Sequence, residues 1–223
     1  MSQKSPISLE PNYDYHKPVM LKECLEGLNI KPDGIYVDVT FGGGGHSREI
    51  LAKLTTGHLF SFDQDDDAKR EAAKIDSENF TFIAANFRFL RKYLRVYGVK
   101  QVDGILADLG ISSHQIDTAE RGFSTRFDAD LDMRMDVQQE QSAKSVVNEY
   151  SFEALHKIFG IYGELKNART VAQAIVSARG TGPIETISEL KAALQRYAPR
   201  GKENKFFAQV FQALRIEVNE ELK

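Results

Sequence analysis

Four short apolar runs punctuate the first half of the chain, at 34–39 (GIYVDV), 58–62 (HLFSF), 80–84 (FTFIA) and 102–109 (VDGILADL). Each is nearly continuous in hydrophobic and β-branched residues, as parallel strands covered on both faces are. Between them the apolar positions recur at three- and four-residue spacing. Helices are predicted over 19–28, 47–54, 67–75 and 88–98, the last with Leu90, Leu94 and Tyr97 on one face and Gly98 as its stop. Strands and helices alternating in short units predict an α/β, doubly wound parallel sheet with right-handed crossovers.

The strand pattern stops near Gln115. Helices are predicted over 151–163, 167–180 and 186–199, the last opened by a Thr186/Glu189 capping box and closed by Pro199. A final helix over 205–223 carries Phe207, Val210, Phe211, Leu214, Val218 and Leu222 as one stripe. The implied organisation is an α/β domain over 1–114, an all-helical insertion over 115–204, and a return to the first domain over 205–223. In a doubly wound sheet the last helix is the crossover to a fifth strand, and only four strands are readable. The expectation is therefore a piece of a longer chain that lacks its C-terminal strands, with part of the last helix's stripe left exposed.

Composition narrows the class. With 223 residues and 42% hydrophobic content the chain can bury a sizeable core. The single cysteine, Cys24, excludes an internal disulfide, is expected in the core, and suits a reducing cytoplasm. No apolar stretch reaches membrane-spanning length, and the first residues hold no signal-peptide-like run. A formal net charge of −3 confines any nucleic-acid binding to a local surface. Two basic segments offer one: RFLRKYLR at 88–95, read first as a solvated helix face and alternatively as a contact to rRNA phosphates, and RYAPRGKENK at 196–205, a basic loop with an aromatic that is expected to be the better placed to meet RNA because it closes the insertion. His16, His58, His114 and His156 have no metal-ligand spacing, and no metal is expected.

Chemistry concentrates in VDVTFGGGGHS at 37–47. A glycine loop between a first strand and its helix lets backbone approach a ligand closely at the carboxyl edge of the sheet. Asp63, about 20 residues on at the end of the second strand, is placed to hold ribose hydroxyls. A dinucleotide fingerprint needs G-x-G-x-x-G, but the register from Gly42 through Gly44 reaches Ser47. The spacing Asp38, Gly42, Gly44 instead resembles the first motif of the S-adenosylmethionine methyltransferases, in which no pyrophosphate is held.

Resemblance becomes specific with LADLGISSHQIDTAERGFS at 106–124 and LDMRMD at 131–136. Together with HKPVML at 16–21, TFGGGGHS at 40–47 and FQALRIEVNEEL at 211–222, these closely resemble the bacterial rRNA small-subunit methyltransferase H (RsmH, MraW) family. The resemblance implies a Rossmann-like methyltransferase domain, S-adenosylmethionine as cofactor, and methylation of the exocyclic amine of a cytosine in 16S rRNA near the decoding centre. It implies 16S rRNA or the small ribosomal subunit as partner, rather than DNA or a membrane. By the same resemblance Gly44, Gly45 and His46 contact the cofactor, Asp63 takes the ribose, Phe87 flanks the adenine, and Asp108 and Gln115 line the pocket. This chain departs from the family at Gly43, where a basic residue is common, at Ala129-Asp130, and in FFAQV before FQALRI.

The reaction needs an acceptor for the amine N–H, because the lone pair of a cytosine amine is delocalised into the ring. Asp108 is the carboxylate after the fourth strand, as catalytic acceptor or as a cofactor contact alone. His46 is a general base or, alternatively, a polar contact to the cofactor carboxylate. DMRMD is a salt-bridged turn or a loop facing a flipped base. The insertion, placed at the mouth of the cleft, is expected to recognise RNA. Two other classes fit parts of the pattern: an NAD-dependent oxidoreductase and a non-catalytic RNA-binding ribosome-maturation factor.

Overall fold

The structure is a computed structural model that describes residues 18–222. His16 and Lys17 of the HKPVML motif, and Lys223 with which the predicted 205–223 helix ends, lie outside them. Four parallel strands, β1 (Ile35–Asp38), β2 (His58–Asp63), β3 (Phe80–Ala84) and β4 (Gly104–Leu106), form one sheet in the order β3-β2-β1-β4. The chain adds strands outward from β1 to β3, then crosses back to place β4 on the other side of β1. The order thus reverses between β1 and β4, where open α/β sheets form their ligand crevice.

Both faces of the sheet are covered, as the apolar runs require. Tyr36 and Leu59 point to the side of α1 (Leu21–Leu28) and α2 (Gly45–Leu51), where Ile50 and Leu54 meet them. Val37, Phe60, Phe62 and Ile83 point to the other side and pack on Leu94 of α4 (Leu90–Val96). Ala68 and Ala72 of α3 (Asp66–Ala72) cover Phe41. Cys24 is only half-buried, because α1 lies on the rim of the sheet and buries none of its residues completely. The fourth strand is shorter than predicted. Among the described residues β4 pairs with β1 alone, and Ile105 on it is 50% exposed.

The second half is less uniform than the all-helical expectation. Helices α7 (Phe152–Ile161), α8 (Ala168–Arg179) and α9 (Ile187–Leu194) form where predicted, and the Thr186/Glu189 capping box closes in both directions. Two further helices lie ahead of them, α5 (Ser113–Asp117) and α6 (Ala143–Glu149). They are short, and α6 owes its start to the Ser142 cap. Between α5 and α6 the chain makes one 3-10 turn (Ala119–Arg121) and otherwise runs irregularly, yet Leu131 and Met133 in it are fully buried. Tertiary packing, not helix propensity, orders this stretch.

The last helix, α10 (Glu203–Asn219), corrects a second expectation. Its stripe is not left exposed for want of a fifth strand. Phe207, Val210, Phe211, Leu214 and Val218 join α6–α9 in the largest apolar cluster of the molecule. Leu222 lies past the helix, which Glu220 ends in a left-handed conformation (φ 52°), and is 61% exposed. The C-terminal end of α10 nevertheless returns to the sheet: Asn86, just after β3, donates to the Asn219 carbonyl at 3.3 Å.

Candidate active site

The glycine loop is pinned from beneath. Asp38, fully buried at the end of β1, accepts from Ser47 Oγ at 2.7 Å and from the Thr40 amide at 3.1 Å, and Ser47 Oγ also meets Ser61 Oγ at 2.8 Å. Burial pushes the Asp38 carboxyl above its ordinary range, and these donors oppose that shift. Between the pins the backbone turns through left-handed residues at Gly42 (φ 53°) and Gly44 (φ 75°). A Cβ on Gly44 would come within 2.6 Å of the Phe41 ring, whereas one on Gly42 would find nothing nearer than the Thr40 carbonyl at 4.0 Å. Gly44 is therefore bare for packing, and Gly42 leaves open space above the loop.

That space is a cavity of about 630 Å³ at the carboxyl edge of the sheet, within the usual ~300–1,000 Å³ of small-molecule sites. Gly45, His46, Asp63, Phe87, Asp108 and Gln115 all line it. Gly44 does not; Gly42 and Gly43 take the place given to it. Asp63 Oδ2 accepts from the Gly42 amide at 2.8 Å, and Oδ1 accepts from the Asp65 amide at 3.0 Å. The carboxylate thus fixes the loop while each oxygen keeps a lone pair for a ligand hydroxyl. Burial raises its pKa to about 6 despite these two donors. His46 Nε2 lies 3.1 Å from the Val19 carbonyl. Asp108 stands exposed on the loop after β4, its amide donating to Thr40 Oγ1 at 2.8 Å.

Gln115 has its amide occupied. Oε1 accepts from the Ser112 amide at 3.0 Å, and Nε2 donates to Asp65 Oδ2 at 2.7 Å. It belongs to a cluster that the sequence did not suggest. Arg121 donates to both oxygens of Asp65, to Asp67 at 3.0 Å, and to the carbonyls of Arg134 and Met135 at 2.9 and 3.2 Å. His114 Nε2 lies 3.1 Å from Asp67. Asn219, buried at the end of α10, donates to the Met133 carbonyl at 2.8 Å and accepts from the Met135 amide at 2.7 Å. Together Arg121 and Asn219 hold the 133–135 backbone, with Met133 at φ 59°, so that Met135 faces the cavity. In DMRMD, Arg134 pairs with Asp132 at 2.7 and 2.9 Å, so the segment is a salt-bridged turn that also presents Met135 to the site. The only local hint was Asp65, an N-cap ahead of α3.

The lining is acidic. Of its carboxylates, Asp65 and Asp67 pair with Arg121, Glu221 with Arg215, and Glu71 with both Arg48 and Lys74, while Asp63 and Asp108 have no ion pair among the described residues. Such a cavity suits a cation near its centre and opposes a pyrophosphate.

A parallel sheet that reverses order at a pinned glycine loop, with an acid closing the second strand, places this chain among the doubly wound α/β folds that bind a ligand at the switch point, and its family match makes that fold a methyltransferase's. More narrowly, it matches the model of the MraW methylase family over residues 14–223 and belongs to that family. It is 63% identical to the ribosomal RNA small subunit methyltransferase H of Cytophaga hutchinsonii over 209 residues, covering 94% of this chain and 70% of that protein. The methyltransferase H of Flavobacterium johnsoniae is 58% identical over 94% of this chain and 69% of its own length. That of Amoebophilus asiaticus is 55% identical over 96% of this chain and 69% of its own length.

Proposed function

We propose that the chain transfers a methyl group from S-adenosylmethionine to the exocyclic amine of a cytosine in small-subunit 16S rRNA near the decoding centre, in the cytoplasm. The relatives' name, ribosomal RNA small subunit methyltransferase H, supports an rRNA substrate. The observation that carries the cofactor is the acidic cavity around an open glycine loop. A sulfonium ligand with a ribose diol fits the charge and the Asp63 carboxylate, and a dinucleotide pyrophosphate does not.

When bound, S-adenosylmethionine supplies an electrophilic methyl group on sulfur. The Gly42–Gly43 backbone and His46 frame one end of the site, Asp63 accepts from the ribose hydroxyls, and Phe87 offers a ring to the adenine. Asp108 faces the base across the mouth. Its carboxylate would accept a hydrogen bond from the amine N–H, which localises the nitrogen lone pair, and would take the proton that the amine loses when the methyl group passes from sulfur to nitrogen, the S–C bond breaking with its electron pair left on the neutral thioether as the N–C bond forms. Holding both reactants in line supplies much of the acceleration. The base must leave its stack to reach this depth, and the 115–204 insertion, whose irregular 118–142 stretch borders the cavity through Met135, recognises the RNA around it.

The test is transfer of labelled methyl to purified small ribosomal subunits and to free 16S rRNA, followed by mapping of the modified base. Incorporation at a cytosine amine supports the assignment. Binding of rRNA without any transfer would instead make the chain a maturation factor.

A further inference from the structure

The cofactor cavity ends where a basic helix begins. Asn86 and Phe87 line the cavity, and the 3-10 turn Phe87–Phe89 runs directly into α4. From 79 to 102 the chain holds Arg88, Arg91, Lys92, Arg95 and Lys100 and no acidic residue, in a protein of net charge −3. Leu90, Tyr93 and Leu94 turn toward the sheet, so Arg91, Lys92 and Arg95 share the outer face and line a shallow groove with Val96. Arg88 pairs with Glu220. Among the described residues, no ion pair engages Arg91, Lys92 or Arg95. At the cavity end of the same helix Phe89 is 42% exposed, with the Arg88 guanidinium 4.6 Å above its ring.

The other basic segment is poorly placed by comparison. Residues 196–205 precede or open α10, whose opposite end, Asn219, lines the cavity. Seventeen residues of helix put that segment roughly 25 Å from the cavity.

We propose that the outer face of α4 is a track for the RNA strand that flanks the target nucleotide, with Phe89 and Arg88 stacking on a base beside the cavity mouth and Arg91, Lys92 and Arg95 contacting successive phosphates beyond it. This rests on the rRNA reading above and adds the surface by which that substrate is held. An aromatic followed by an open row of cations is the arrangement that binds unpaired nucleic acid, the ring taking a base face and the cations following the backbone. From Arg88 to Arg95 the helix rises about 10 Å, enough for a short run of nucleotides leading away from the mouth.

The experiment is a salt titration of binding to 16S rRNA for three proteins: the unaltered chain, R91Q/K92Q/R95Q, and R196Q/R200Q/K202Q. Losing three single-strand phosphate contacts should reduce the slope of log affinity against log salt by about 2, and weaken binding about 10- to 100-fold at physiological salt. S-adenosylmethionine affinity and the melting temperature of the α4 variant should stay unchanged, because these side chains lie on the surface outside the cofactor cavity. Phe89→Leu keeps an apolar side chain but removes the ring, and should cost about fivefold or more in rRNA affinity. An α4 variant with the slope and affinity of the unaltered chain overturns the proposal while leaving rRNA as the substrate. So does a slope that flattens only in the 196–202 variant. If the unaltered chain does not bind free 16S rRNA, the same titration is run on small ribosomal subunits, and failure to bind either overturns both the track and the substrate reading.

Discussion

The two walls of the cavity are held in different ways. On the sheet wall, the glycine loop hangs between Asp38 and Asp63, which sit at the ends of neighbouring parallel strands and bind backbone amides at 3.1 and 2.8 Å. On the opposite wall, the 133–135 turn is fixed by two side chains from elsewhere, Arg121 and Asn219. Asn219 lies 84 residues from the Met135 amide it receives. The first wall therefore forms once β1 and β2 pair. The second requires α10 to dock on the helical cluster and bring its last turn back to the sheet. The wall proposed to hold the cofactor's ribose is thus the more local one. The second wall depends on the fold as a whole.

The sharpest way to separate the walls is Asp108→Asn. If the carboxylate draws on the amine, turnover should fall about 100-fold or more, the usual scale of acid–base assistance, while S-adenosylmethionine affinity changes by no more than about threefold. Single-turnover methyl transfer alongside calorimetry checks it, and equal losses in both would make Asp108 a cofactor contact alone. Next in size is Asn219→Ala. It leaves the Met133 carbonyl and Met135 amide without partners and should destabilise the protein by about 2–3 kcal/mol, seen as a lower denaturation midpoint. An unchanged midpoint would show that the second wall stands without its clamp.

Asp63→Ala tests the first wall. It should weaken S-adenosylmethionine by about 1–3 kcal/mol; calorimetry that finds no loss would remove Asp63 from the ribose. The smallest effect is with pH. The Asp63 carboxyl is raised from 3.8 to about 6 in the folded chain, so the folded state holds the proton more tightly than the unfolded state. Its contribution to stability is fully present below about pH 3.8 and is lost as pH rises through about 6. Cofactor binding needs the ionised form and moves the other way, weakening about tenfold between pH 7 and pH 5. Affinity titrated over that range should bend near 6 in the native chain and stay flat in Asp63→Asn.

How much of this was legible in the sequence follows from how each part is encoded. The strands announced themselves because a buried parallel strand must be apolar at nearly every position, and β1 to β3 fall within a residue or two of their predicted ends. The glycine loop and Asp63 were legible because left-handed backbone and a strand-end acid are demanded by local geometry. The 118–142 stretch has no period to read, since its order comes from Leu131 and Met133 sinking into a cluster built by other segments. The apolar stripe of α10 was readable, but the partial exposure expected of it was wrong, because an apolar face specifies that it must be covered, and not by what.

The sequence by itself determined the parallel sheet, the position of the glycine loop, the acid at the end of β2 and the basic face of α4, because each depends on residue type within one element. Tertiary structure alone decided that α10 packs among the helices and returns Asn219 to the sheet edge. It also decided that Arg121 ties Asp65 and Asp67 to the Met135 turn, and that α4 rather than 196–205 adjoins the cavity. These are contacts between segments far apart in the chain, and a side chain's type records its capacity to bond but not which distant partner the fold will bring to it.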